Sequence, residues 1–222
     1  MTTNLNKFSK YYINTKMSLA IVVLCVLICS AIYLKQSTTK EHIIYIQPLG
    51  NVDSECLNYL KKSVEDFYGY KCRIKTKLEL TSHILTNSKT RYDANKILDK
   101  YNSKINLLII TEKDIAYKKS NQFLEWGIFG LGLRPGQTCV VSTFRLKKKV
   151  SKSQMLIRLK KVALHEIGHN LGLSHCKNNR ECMMNDAGGT IKQVDREKIW
   201  FCEKCCEQLK RLKALDGVGK HQ

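Results

Sequence analysis

The segment His165-Glu166-Ile167-Gly168-His169-Asn170-Leu171-Gly172-Leu173-Ser174-His175 constrains this chain more than any other. His165 and His169 are four apart, so on a helix their rings leave one face about one turn apart. At that spacing two imidazole nitrogens can converge on one zinc ion, with Glu166 beside them to take a proton from water that the metal acidifies. Gly172 can adopt positive φ, end the helix and reverse the chain, which returns His175 as a third ligand. Three histidines leave the fourth tetrahedral position open, the arrangement of a catalytic site. The implied chemistry is hydrolysis of a peptide or protein substrate, with Glu166 handing its proton to the leaving amine. An isolated histidine is more often structural than a ligand, but three at metal spacing with a carboxylate beside them are not isolated.

The ten cysteines carry a second pattern. Cys176 directly follows His175, and Cys182, Cys202 and Cys205 follow it, the last two separated by two residues. Four thiolates so spaced can hold a tetrahedral structural zinc; a pair of disulfides is the alternative, and Cys202 and Cys205 also suit a redox pair. Cys25 and Cys29 lie in an apolar N-terminal run, and Cys56, Cys72, Cys139 and Cys206 are left over, so cysteine usage alone does not set the redox compartment.

That N-terminal run, Met17 to Leu34, has 18 residues without a charge, preceded by Lys7, Lys10 and Lys16 and followed by Lys35 and Lys40. As a helix it would reach roughly 27 Å, close to the hydrocarbon thickness of a bilayer. It has no polar stripe, so the reading is an uncleaved single-pass membrane anchor; a signal cleaved near Cys29-Ser30-Ala31 and a buried helix are the alternatives. Three lysines before the run against two after it put the catalytic domain on the translocated side, with a cytosolic domain as the other topology. The net charge of +19 favours anionic partners. The basic residues lack the aromatic interleaving of a single-strand nucleic-acid platform, so nucleic acid is not an expected partner. A non-catalytic, zinc-stabilised module binding anionic lipid or nucleic acid through this surface is the competing function, and the intact Glu166 speaks against it.

Periodicity supplies a coarse fold. His42–Leu49 reads as a buried strand ended by Pro48 and Gly50, and 53–68 as a helix, with Leu57, Leu60, Val64 and Phe67 on one face. Tyr70–Leu80 alternates as a half-exposed strand, 91–101 is helical, and Ile105–Thr111 is a strand buried on both faces. Trp126–Leu133, dotted with glycines, fits a bent edge strand; Thr138–Phe144 is a further strand, and 151–171 a long helix. Strands alternating with helices make an α/β sandwich with a mixed sheet. The expected organisation is a basic flank at 1–16, the apolar segment at 17–34, a linker at 35–41, one folded domain at 42–213 with its structural-zinc segment at 176–206, and a tail at 214–222.

With these residues in place the chain resembles the archaemetzincins. Cys176, Cys182, Met184, Cys202 and Cys205 follow the zinc motif in the family's order, with one residue more between Cys176 and Cys182. Ile46-Gln47-Pro48-Leu49-Gly50, Arg91-Tyr92-Asp93-Ala94, the strand end Ile110-Thr111 and Ser142-Thr143-Phe144-Arg145-Leu146 are also similar, so the likeness spans roughly residues 42–206. The resemblance implies a compact metzincin-like zincin sandwich with an active-site helix and a C-terminal zinc subsite made of four cysteines. It also implies two zinc ions, one catalytic on His165, His169 and His175 and one structural on Cys176, Cys182, Cys202 and Cys205. Met184 would be the methionine turned under the histidines, and the Trp126–Leu133 strand would pair with an extended substrate. The N-terminal anchor is atypical of the family.

Overall fold

The computed structural model describes residues 23–28, 30 and 42–212, and the chain divides into two units, residues 1–41 and 42–222. In the first unit, residues 23–28 and 30 are helical. The flank 1–16, the rest of the 17–34 segment, the linker 35–41 and residues 213–222 lie outside the described residues. Among the described residues no helix is long and apolar enough to cross a membrane. That overturns the expected membrane anchor, together with the membrane as partner and the assignment of the domain to one side of a bilayer.

In the second unit the chain forms β1 (Ile43–Leu49), α1 (Ser54–Tyr68), β2 (Lys71–Ile74), β3 (Tyr92–Asp93), α2 (Ala94–Tyr101), β4 (Asn106–Thr111), β5 (Ile115–Tyr117), β6 (Trp126–Ile128), β7 (Gly130–Gly132), β8 (Thr138–Ser142), α3 (Lys152–Asn170), α4 (Ile191–Arg196) and α5 (Glu203–Arg211). Five strands make a sheet in the order β2-β1-β4-β8-β7. The first four run parallel, and β7 joins β8 antiparallel at the edge. A second, three-stranded sheet has the order β3-β5-β6.

The strands are short apolar runs because both faces of the large sheet are covered. Leu108 and Ile110 of β4 join Ile44, Ile46 and Val141 in a core shared with Leu60 and Val64 of α1 and Leu159 and Ala163 of α3. Leu107 and Ile109 point the other way, into a second core with Leu49, Val140 and the α2 residues Ile97 and Leu98. Helix ends follow local chemistry. The Asp53 carboxylate accepts the Glu55 N–H at 2.9 Å to start α1, and Gly69, at φ 69°, ends it. Asp93 caps α2 by accepting the amides of Asn95 and Lys96.

The architecture is the expected α/β sandwich with a mixed sheet, and three elements differ in extent. Of Tyr70–Leu80 only 71–74 is a strand, and Leu78 makes a single bridge to Leu49. The expected helix at 91–101 begins at Ala94, because Tyr92 and Asp93 pair with β5 first. Trp126–Leu133 is two strands in two sheets: β6 pairs with β5 and β7 with β8, and the buried Phe129 lies between them.

Candidate active site and metal centres

Helix α3 starts at Ser151, whose hydroxyl accepts the Gln154 N–H at 3.3 Å. Its last turns carry His165 and His169, with ring centroids 4.6 Å apart and planes at 88°. Gly172, at φ +97°, stops the helix, and the Leu173 N–H closes back on the Gly168 carbonyl at 3.0 Å. This reversal brings His175 to 5.4 Å from the His165 ring and 4.8 Å from the His169 ring. One ring nitrogen from each histidine lies within 4.8 Å of the other two.

The hydrogen bonds fix which nitrogens face inward. His165 Nδ1 and His169 Nδ1 each lie 2.7 Å from a backbone carbonyl, that of Met183 and of Leu173. A carbonyl can only accept, so each Nδ1 carries the hydrogen and leaves a lone pair on Nε2. Burial first, and the neighbouring rings, hold both histidines neutral, His165 pushed down to about 3 and His169 to about 4. His169 Nε2 meets His175 Nε2 at 3.2 Å. Neutral imidazole lone pairs converging on one point, two of them oriented by a carbonyl behind the ring, fit the donor set of a zinc ion.

Glu166 is buried, and that burial pushes its carboxyl up to about 8 against the lowering effect of the Gly132 N–H. Edge strand β7 lies close against it. A Cβ on Gly130 would fall 2.6 Å from Glu166 Oε1, and one on Gly132 would fall 2.7 Å from the Glu166 backbone oxygen. Met184 is fully buried against Gly168, between the two helical histidines in sequence, and its carbonyl accepts the Cys176 N–H at 2.6 Å.

Cys176, Cys182, Cys202 and Cys205 form a second buried group, with their sulfurs within 4.8 Å of one another. The Sγ separations are 3.5 Å for Cys176–Cys202, 3.7 Å for Cys202–Cys205 and 3.8 Å for Cys182–Cys205. A disulfide requires about 2.05 Å, so the sulfurs are arranged around a common centre and not joined in pairs. Cys182 lies 3.8 Å from Cys205 Sγ and accepts the Cys202 N–H at 3.3 Å, and these contacts draw its thiol down to about 5. Four buried sulfurs gathered around one centre fit a thiolate-ligated metal. Cys56, Cys72 and Cys139 lie apart, in the core, where burial pushes their thiols up.

The histidines and Glu166 open onto a cleft of about 380 Å³. Its walls also include Arg134, Tyr117, the loop Asn185–Gly189, Val194 and Glu197. These residues went unnoticed in the sequence. The loop and α4 bear no motif, and only the folded chain brings them opposite β7. Helix α5 also went unrecognised, although Cys205 and Leu209, four apart, are its buried face.

A parallel-sheet α/β unit whose long helix presents two histidines and a glutamate to an open cleft, with a third histidine returning after a glycine turn, has the form of a zinc-dependent peptidase. Comparison with known proteins narrows the class. The model of peptidase family M54 matches residues 61–211. The archaemetzincin of Methanocaldococcus jannaschii is 33% identical over 172 residues, covering 75% of this chain and 92% of the relative. The crystal structure of the Archaeoglobus fulgidus archaemetzincin, complexed with malonate, is 31% identical, with a TM-score of 0.66 over 75% of this chain and 99% of that one. The Methanopyrus kandleri archaemetzincin is 26% identical, with a TM-score of 0.65 over 78% of this chain and 96% of that one. The chain belongs to peptidase family M54, the archaemetzincins, and is a zinc metallopeptidase acting on peptide or protein substrates.

Proposed function

We propose that Glu166 is the general base of this peptidase, that His165, His169 and His175 hold its catalytic zinc, and that Cys176, Cys182, Cys202 and Cys205 hold a second, structural zinc, within a folded domain spanning residues 42–213. The observation that carries the reading is the convergence of three imidazoles at the cleft where the Glu166 carboxylate lies. A zinc ion on the three histidines would polarise the scissile carbonyl and acidify water.

The chain's own residues do the rest. Edge strand β7 has one neighbour in the sheet and lines the cleft, so an extended substrate can pair along its free side. Glu166 takes the proton of the attacking water and delivers it to the leaving amine, and its burial under β7 excludes bulk water from that transfer. Met184 packs behind Gly168 and keeps the turn 182–185 against α3; from that turn the Met183 carbonyl orients His165. A non-catalytic basic module is not favoured, because a structural metal site has no use for a buried carboxylate facing an open cleft.

Glu166→Gln tests the role. The variant keeps the fold and its metal, and turnover falls about 10²–10⁴-fold. Near-normal peptide cleavage by a metal-verified variant would overturn the assignment.

A further inference from the structure

A second buried carboxylate faces the same cleft, and neither the hydrolytic step nor the two metal groups use it. Glu197 directly follows α4, is 5% exposed, and lines the cleft beside Val162, Val194 and His165. Its Oε1 accepts the Gln193 side-chain amide at 3.2 Å. The nearby cation is Lys161, on α3 one turn before His165. Lys161 Nζ donates to the Val194 carbonyl at 2.8 Å and the Asp195 carbonyl at 3.1 Å, and acts on Glu197 only through space. Had Glu197 served to neutralise Lys161, the two would be in contact. Instead the ammonium sits on carbonyls at the end of α4, where helix polarity already favours a cation.

Among the described residues Glu197 is therefore a buried acid with one side-chain hydrogen bond and no cation in contact with it. Burial pushes its carboxyl up to about 8, against the lowering effects of Gln193 and Lys161. The cleft wall also carries Arg134 and Asp186, and the Asp186 carboxylate acts on Glu197 in the same direction as burial.

We propose that Glu197 is the specificity-determining residue of this cleft and that it recruits a substrate cation close to the scissile bond. The cation is the ammonium or guanidinium of a Lys or Arg side chain, or the α-ammonium of a peptide N-terminus. The proposal rests on the peptidase reading above. A cation entering beside Val162 and Val194 supplies the partner that the carboxylate lacks, and a charge-assisted bond formed away from water is stronger than an exposed one.

The test is cleavage profiling with the full chain. Peptides carry Lys, Arg, norleucine or methionine at each position flanking the bond, with the N-terminus free or acetylated. Wild-type protein favours the cationic peptides by about tenfold or more in kcat/KM, mostly through KM. Glu197→Gln levels this preference, and Glu197→Asp retains part of it. A preference that survives acetylation assigns the cation to a side chain, and one that disappears assigns it to the N-terminus. Binding of the same peptides to Glu166→Gln, followed by fluorescence anisotropy, ranks them in the same order without turnover. Cleavage with no cation preference, or a preference unchanged in Glu197→Gln, overturns the proposal and leaves the peptidase reading standing. Failure to cleave any peptide by zinc-verified wild type sinks both. Where Glu197→Gln folds poorly, a wild-type profile without cation preference still overturns the proposal, and Glu197→Asp supplies the comparison that assigns a preference to this carboxylate.

Discussion

Two glycines set how closely β7 approaches the catalytic helix and how closely Met184 packs behind it. At Gly132 an added Cβ would meet the backbone oxygen of Glu166 at 2.7 Å, and that atom cannot yield unless α3 moves. At Gly168 the added Cβ would meet Met184 Sδ at 2.6 Å, a side-chain atom that can turn aside, and alanine returns about 1 kcal/mol of helix propensity. The two substitutions should therefore diverge. Gly132→Ala is expected to destabilise by about 1–3 kcal/mol through overpacking and to lower kcat/KM at least about tenfold by displacing Glu166, whereas Gly168→Ala stays closer to wild type. Thermal unfolding and cleavage assays at matched zinc content check this. A wild-type-like Gly132→Ala would mean that β7 and α3 have slack the geometry does not suggest.

At the scale of elements, α3 does two jobs on two faces. Leu156, Leu159, Ala163 and Ile167 are buried in the core, while Arg158 and Lys161 clamp α4, whose end forms one wall of the cleft. Arg158 binds Asp195 through two nitrogens at 2.7 Å each and also donates to the Leu146 carbonyl at 2.9 Å. The guanidinium holds the Asp195 carboxyl below its ordinary value of 3.8. A lowered folded-state pKa adds stability that is complete above that value and is lost as pH falls through the folded pKa. Asp195 is partly exposed, so the contribution is modest, and Asp195→Asn should cost about 1–2 kcal/mol at neutral pH. The gap in Tm between wild type and Asp195→Asn should narrow once pH drops below 3.8. A constant gap across that range would show that packing, and not charge, holds α4 in place.

For the whole molecule, the two candidate ligand groups are joined by a single peptide bond between His175 and Cys176, so the C-terminal segment holds the third histidine in place. The cysteine group gathers residues from the loop after α3 and from the start of α5. Metal analysis of the full chain should return two zinc ions of unequal type. Cys202→Ser should lose one and unfold at markedly lower temperature, because a structural zinc contributes several kcal/mol that the apo segment cannot replace. A Cys202→Ser protein with wild-type stability would make the cysteine group dispensable.

The residues proposed to carry the chemistry were legible without a fold, since their spacing is local. His165 and His169 share a helical face by periodicity, Gly172 allows the turn, and the cysteines sit at metal-ligand intervals. The buried strands at 43–49, 106–111 and 138–142 were equally plain, because runs of apolar residues have few other places to go. Tertiary structure decided what depends on distant partners. It divided Trp126–Leu133 between two sheets, since two short strands can each pair with a different neighbour, and it brought Gly130 and Gly132 onto Glu166. It set Glu197 in the wall of the cleft through Lys161 and Arg158 on another helix, an arrangement no periodicity encodes. The membrane reading of the apolar N-terminal run was corrected as well, since among the described residues no helix is long and apolar enough to cross a bilayer.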